Sequence, residues 1–146
     1  MPKCADGLPG CSRAADGTWL HTLTGQHVGK HTFAALNFHC HAPSCLEMRV
    51  YACDVSVPLE ACGVSNGNLV CRTMPVYGGT HAPEVHGTRF DEPGYIAIAD
   101  CMWGGDEFGL EPPVNLEGVP LHLRKTCNAT YAHYGEMAGG QPWVYG

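Results

Sequence analysis

Charge is scarce in this chain, and positive charge is scarcer than negative. Charged residues make up 15% of the 146, and eight Lys and Arg stand against fourteen Asp and Glu, a formal net charge of −6. Nucleic acid requires a basic surface, and anionic lipid headgroups attract clustered Lys and Arg. The composition therefore argues against both kinds of partner. No apolar run approaches the roughly 20 residues of a transmembrane helix, so we expect no insertion into a membrane.

Several catalytic and structural signatures are also missing. The sequence has no nucleophile elbow, no Gly-rich phosphate loop and no His-Glu-x-x-His motif. Paired Cys-x-x-Cys knuckles, which hold structural zinc, are absent. The opening Met1-Pro2-Lys3-Cys4 has no apolar signal core, so we expect the numbering to begin after processing, or the chain to be a piece of a longer one.

Helical periodicity is lacking, and short strands take its place. Nineteen Gly and eleven Pro interrupt the chain often, and no 3.6-residue apolar repeat is sustained. Apolar and polar residues alternate through 45–53, and Asn66-Gly67 is a hairpin signal. Many short strands with turns between them predict an all-β, disulfide-stabilised, jelly-roll-like β-sandwich. We expect its strands at 19–24, 33–41, 45–53, 68–74, 95–99 and 120–127, with one or two more between 131 and 145.

The chain is expected to form one sandwich domain, residues 19–146, preceded by a turn-rich arm, residues 1–18. In this arm Cys4 and Cys11 are predicted to close a small loop. The arm either lies on the surface of its own domain or docks on another subunit.

Cysteine is the one residue type in clear excess, and it predicts an oxidising compartment. Nine cysteines allow four disulfides with one thiol left over. The sequon Asn128-Ala129-Thr130 permits N-glycosylation at Asn128 and fits the same secreted, extracellular location. The disulfide candidates are Cys4, Cys11, Cys40, Cys45, Cys53, Cys62, Cys71, Cys101 and Cys127.

A His-x-His strand is the strongest chemical signal. Side chains alternate across a strand, so His39 and His41 project from one face and Cys40 from the other. Two imidazoles on one face form half of a metal site. We expect the other half near the C-terminus, where Met137 follows His133 by four residues. Imidazole suits both copper oxidation states and a thioether favours Cu(I), so the predicted metal is copper.

The order of these features resembles a known family. His39-Cys40-His41, followed by Met48-Arg49-Val50-Tyr51 and a Gly-containing hairpin, resembles the His-x-His strand of the copper type II, ascorbate-dependent monooxygenases. The resemblance is specifically to the C-terminal domain of the peptidylglycine α-hydroxylating and dopamine β-hydroxylating enzymes. Its later strand and Met ligand are similar to Leu121-x-Leu-x-x-x-Cys127 and Ala129-Thr130-x-x-His133-x-Gly135-Glu136-Met137.

A second resemblance is to plant stress-up-regulated nodulin-type proteins, and with the first it spans roughly residues 30–145. The segments that carry it are Val70-Cys71, Pro75-Val76-Tyr77-Gly78, Glu92-Pro93-Gly94-Tyr95 and His133-x-Gly-x-Met137.

What the resemblance to the monooxygenases implies is a jelly-roll-like sandwich that binds copper through His39, His41 and Met137. The spacer from His133 to Met137 is shorter than in the enzymes, and Ala138 stands where they have a cysteine. These departures make His133 a further candidate ligand. The enzymes also need a second copper domain, for which this chain has no room, so we expect no hydroxylation by this chain alone.

Each metal prediction has a simpler alternative. His39 and His41 could be core or interface histidines, and Met137 could be a packing residue. Cys40 could be a copper thiolate, although its place on the opposite face favours a disulfide with Cys45 or a neighbouring strand. The acidic pairs Asp91-Glu92 and Asp106-Glu107 could bind calcium, although solvated loop charges are the commoner role.

A structural role is the alternative function. Many cysteines, low charge and aromatic residues at Trp19 and from Trp143 to Tyr145 are typical of a hardened extracellular subunit. Exposed edge strands offer such a subunit a route to polymerisation. The alternative to a copper module is therefore a glycosylated building block that packs into an assembly or filament with copies of itself.

Overall fold

The computed structural model describes residue 1 and residues 3–40, 44–77, 96–133 and 138–145. In this part of the chain the regular structure is eleven strands and two 3-10 turns, Leu59–Ala61 and Asp106–Phe108, with no α-helix. The strands are β1 (Cys11–Arg13), β2 (Trp19–Val28), β3 (Thr32–Cys40), β4 (Cys45–Cys53), β5 (Gly67–Thr73), β6 (Val76–Tyr77), β7 (Ile96–Ala97), β8 (Cys101–Met102), β9 (Val114–Asn115), β10 (Pro120–Asn128) and β11 (Ala138–Val144).

Two antiparallel sheets carry the fold. Sheet A has the order β1-β2-β10-β4-β5, and sheet B has the order β11-β3-β8, with β9 also paired to β3. β6 and β7 form a separate two-stranded ribbon. The prediction of a disulfide-stabilised β-sandwich is confirmed. The jelly-roll-like strand order stays a prediction.

Side chains that point alternately toward and away from the core characterise β4, whose bounds are the predicted ones. Met48 and Val50 are buried, whereas Arg49 between them faces away from the core. In β3 the alternation slips between Phe33 and Leu36, which are both buried. The slip coincides with a register shift against β11, where one extra β3 residue is accommodated, as at a β-bulge.

The core lies between the two sheets. Its inner faces are apolar and pack into one contiguous cluster, which Trp103 and Leu116 extend beyond the strands. The main strand residues of the cluster are Phe33, Leu36 and Phe38 of sheet B and Met48, Val50 and Leu121 of sheet A. Lys125 is also fully buried on the inward side of β10, opposite Met48.

Four disulfides brace the sandwich. They are Cys4–Cys11, Cys40–Cys45, Cys53–Cys62 and Cys71–Cys101, with Cα–Cα separations of 5.6 to 6.3 Å. Two of them, Cys40–Cys45 and Cys71–Cys101, connect sheet A to sheet B. Cys127 is buried and takes part in no disulfide.

Residues before β2 are tied to the sandwich. β1 pairs with the start of β2, and the Cys4 amide donates to the Ala129 carbonyl at 3.0 Å. Gly10 permits the turn into β1, because its φ is +75° and an added Cβ would lie 2.9 Å from the Thr22 carbonyl oxygen. Residues 1–18, predicted to form an arm, thus include an edge strand of sheet A.

Candidate functional sites

His39 occupies an outward position near the end of β3. It is exposed, it pairs with Gly139 of β11, and the next residue, Cys40, is buried. The imidazole therefore projects from the solvent side of sheet B, where an ion or a partner can reach it. This exposure argues against the alternative in which His39 is a core histidine.

The connection from β3 to β4 is held at both ends by a disulfide. Cys40 and Cys45 are bonded with a Cα–Cα separation of 6.3 Å. Because both sulfurs are committed to this bond, Cys40 supplies no thiolate to a metal in the oxidised chain. The two cysteines are five residues apart in the sequence, and His41 lies between them.

His41 and Met137, the other two predicted ligands, lie outside the described residues. Their chain neighbours are described: Cys40 precedes His41 and Ala138 follows Met137. Cys40 and Ala138 are Cα partners in the β3–β11 ladder. The chain thus enters both predicted ligand positions from a single pair of adjacent strand ends.

His133 joins the first residue of the chain. Its amide donates to the Met1 carbonyl at 2.9 Å, and its carbonyl accepts from the Met1 ammonium at 2.5 Å. The side chain is partly buried. These main-chain bonds fix where residue 133 stands, while a role for its imidazole as a ligand stays a prediction.

The predicted glycosylation site, Asn128, is the last residue of β10 and pairs with Leu20 of β2. The Thr130 main-chain N–H donates to Asn128 Oδ1 at 3.0 Å, which forms a local turn. The side-chain Nδ2 of Asn128 takes no part in this hydrogen bond. Asn128 is partly buried, and its main-chain N–H donates to the Ser44 carbonyl at 2.7 Å. Glycosylation at Asn128 stays a prediction.

Calcium binding also stays a prediction. Asp106 and Glu107 form part of an exposed 3-10 turn, and Asp91-Glu92 lies outside the described residues. Within the part of the chain that the structure describes, no three His, Cys, Asp or Glu side chains come together as a metal site. Across the same residues, no helix has the length and apolar character that spanning a membrane requires.

A row of arginines on the outer face of sheet A was not anticipated from the sequence. Arg124 of β10 lies opposite Arg49 of β4, which lies opposite Arg72 of β5. Glu47 accepts from Arg49 Nη2 at 2.8 Å and from Arg72 Nε at 2.5 Å. The alternation of side chains within each strand could be predicted from the sequence. The row also depends on the pairing of strands that are distant in sequence, which could not.

Glu47 and its arginines perturb one another. Partial burial alone would raise the pKa of the Glu47 carboxyl, but hydrogen bonds from Arg49 and Arg72 outweigh burial and lower it. The pKa of Arg49 is raised, first by its hydrogen bond to Glu47 and then by its bond to Tyr51. Glu47 thus contacts two of the three arginines in the row, and this surface carries more positive than negative charge on an otherwise acidic protein.

His122 lies beside this row under the loop that contains Cys62. Burial is the largest effect on its imidazole and lowers its pKa from 6.5. The charge of Arg124 lowers it further, and the Cys62 carbonyl acts in the opposite direction. The neutral imidazole is therefore favoured in the folded state.

We expect His122→Gln to reduce the loss of stability on acidification. In the unfolded chain His122 takes up a proton more readily than in the folded protein, because folding lowers its pKa. The free energy of unfolding is therefore unaffected by His122 protonation above the ordinary pKa of 6.5, and it decreases as the pH falls below that value. Thermal unfolding from about pH 8 to about pH 5 should show a smaller fall in Tm for the variant than for the unmodified protein. The exposed His31→Gln is the control. Equal falls for all three proteins would contradict the assignment.

The chain matches no protein-family model, no curated protein and no solved structure. The family resemblance therefore remains an expectation from its motifs.

Proposed function

We propose that this protein is an extracellular β-sandwich module that binds one copper ion through His39, His41 and Met137, with His133 as a further candidate ligand. The observation that carries the proposal is the β3–β11 ladder. It brings Cys40 and Ala138 together as partners at the strand ends where His41 and Met137 adjoin. Two distant stretches of sequence, each with predicted copper ligands, thus meet at one edge of sheet B.

Two features support copper at this edge. His39 is exposed, so an ion can approach its side chain from solvent. The Cys40–Cys45 disulfide restricts the chain immediately after His39, and a restricted ligand loses less conformational freedom when it binds. Imidazole nitrogen with thioether sulfur suits an ion that passes between Cu(II) and Cu(I).

The proposed activity is copper binding, or redox work with a partner, without hydroxylation by this chain alone. The enzymes that the sequence resembles need two copper domains. The described residues here form one sandwich around one core. We therefore propose no substrate for this chain alone.

Copper titration tests the proposal directly. We expect one equivalent of copper per chain, and a loss of affinity of about tenfold or more in His39→Ala and in His41→Ala, because each removes a bond to the ion. Met137→Leu should weaken Cu(I) more than Cu(II), since the soft sulfur serves the reduced ion. The measurement is competition against a chromophoric chelator of each oxidation state.

The matched control is His31→Ala, which removes an exposed imidazole from the loop between β2 and β3. This variant should bind copper like the unmodified protein. The absence of stoichiometric copper in the unmodified protein, after both oxidation states have been offered, would reject the proposed function.

Self-assembly is a second candidate function, favoured by the charge distribution. Three of the eight Lys and Arg stand in the row formed by Arg124, Arg49 and Arg72. An acidic, exposed turn follows β8, with Asp106 and Glu107 beside Phe108, which is 75% exposed. An exposed aromatic residue rimmed by carboxylates is complementary in charge to an arginine-rich face.

These two surfaces belong to different parts of the molecule. The arginine row lies on the side of sheet A that faces away from sheet B, whereas the acidic turn continues from β8 of sheet B. A contact between the turn of one copy and the row of another would be head-to-tail. Head-to-tail contacts that do not close into a ring build filaments.

Charge reversal tests this assembly. We expect Arg124→Glu alone, and Asp106→Lys with Glu107→Lys, each to weaken self-association about tenfold or more at low salt, and their combination to restore it. Sedimentation velocity over a concentration series is the measurement, with Lys30→Glu as the control outside both surfaces. A monomer at every concentration and salt level would rule the assembly out and leave the copper proposal untouched.

A further inference from the structure

A cleft opens between the two sheets on the side where β2 and β11 lie. Its volume is about 280 Å³. The deep walls are apolar and come from both sheets, with Phe33 and Phe38 on one side and Val50, Leu121 and Leu123 on the other. The described residues therefore leave the core of the sandwich open on this side.

Two glycines keep the cleft open. Gly25 of β2 lies opposite Leu123, whose side chain lines the cleft, and an added Cβ at Gly25 would meet no atom within 4 Å. Gly140 of β11 lies opposite Phe38, and an added Cβ there would come within 3.2 Å of Leu36 Cδ1. At both inward positions a larger side chain would occupy the space that the cleft now provides.

The solvent-exposed lining residues, which belong to β2 and β11, form the mouth of the cleft. Gly25, Gln26 and His27 of β2 and Gly140 and Pro142 of β11 are exposed, whereas the lining residues of β3, β4 and β10 are buried or partly buried. A ligand would thus enter between the two strands and reach the core.

The lining selects for an uncharged ligand. Among the described residues that line the cleft there is no Asp, Glu, Lys or Arg, so a charged molecule would lose its hydration without gaining a counter-charge. The amide of Gln26 is directed elsewhere, since it donates to the Cys62 carbonyl at 3.1 Å. His27, opposite the buried Leu121, is the polar side chain left at the mouth.

We propose that this cleft is a binding site for a small, neutral, mainly apolar molecule with at most one polar group, which would face His27. An apolar cavity of about 150 Å³ already accepts benzene, and sites for drug-sized molecules begin near 300 Å³. A cleft between these sizes suits a molecule of two fused rings or a short branched hydrocarbon. The proposal does not depend on copper.

The test uses 2-naphthol, a neutral two-ring probe with one hydroxyl, titrated by calorimetry into the full chain. Gly25→Leu should weaken binding about tenfold or more by filling the cleft, and Gly25→Ala should weaken it less. Gly139→Leu is the matched control, because Gly139 precedes Gly140 on β11 but pairs with the exposed His39 and meets no atom within 4 Å. It should bind like the unmodified protein.

Naphthalene-2-sulfonate, the anionic analogue, should bind at least about tenfold more weakly than 2-naphthol, because the lining offers it no cation. Thermal unfolding identifies any variant that fails to fold, and Gly25→Ala then decides in place of Gly25→Leu. The proposal is overturned if 2-naphthol does not bind, or if it binds equally to the unmodified protein and to folded Gly25 variants. It is also overturned if Gly25→Leu changes only self-association, which would assign the cleft to a second copy.

Discussion

Replacing Cys71 and Cys101 together by alanine is expected to lower the free energy of unfolding by about 3 to 4 kcal/mol. The two cysteines are 30 residues apart and join β5 of sheet A to β8 of sheet B. A crosslink that closes a long loop removes many conformations from the unfolded chain, and this one also fastens the two layers of the sandwich. For a chain of this length the Tm should fall by about 10 °C.

The control for this prediction removes a different cystine. Cys4→Ala with Cys11→Ala opens a loop of seven-residue separation near the N-terminus, so the expected loss is smaller, about 2 kcal/mol. Chemical denaturation of the two double variants measures the difference. An effect of Cys4–Cys11 equal to or larger than that of Cys71–Cys101 would contradict the idea that the long, inter-sheet crosslink is the main brace.

Met48→Ala is expected to cost about 3 kcal/mol of unfolding free energy. Met48 is fully buried on the inner side of β4 and belongs to the cluster that both sheets share. Truncating it removes apolar contacts and leaves a cavity that the braced strands cannot fully close. The measurement is the midpoint and slope of denaturation in urea.

Two exposed methionines provide matched controls for Met48. Met74 and Met102 are each 58% exposed, so Met74→Ala and Met102→Ala should each change the unfolding free energy by less than about 0.5 kcal/mol. If Met48→Ala behaved like these two variants, the inner face of β4 would not be the core that its burial indicates.

Much of the fold was readable because its patterns are local. The alternation through 45–53 predicted β4 with its observed bounds, and Asn66-Gly67 predicted the turn before β5. β2 runs to Val28, further than the predicted end at residue 24, because its polar second half pairs with β10 and needs no apolar face of its own. Long-range pairing thus formed strand where local propensity was weak.

Features that depend on the register between strands could not be predicted from the sequence. Alternation from Leu121 and Leu123 already turns Lys125 inward, but lysine is so rarely buried that its burial was not predicted. The arginine row and the Gly25 cleft appear only when β2, β4 and β5 are aligned with their partners. The same holds for the meeting of Cys40 with Ala138, which the sequence suggested only through the order of its motifs.

The most direct test of the copper proposal is X-ray absorption at the copper edge of the Cu(I)-loaded protein. The account predicts nitrogen scattering from imidazole together with one sulfur scatterer, and loss of the sulfur in Met137→Leu with the nitrogen shell retained. His31→Ala should leave the spectrum unchanged. A loaded protein with no sulfur scatterer, or one whose sulfur persists in Met137→Leu, would contradict a site built from the ends of β3 and β11.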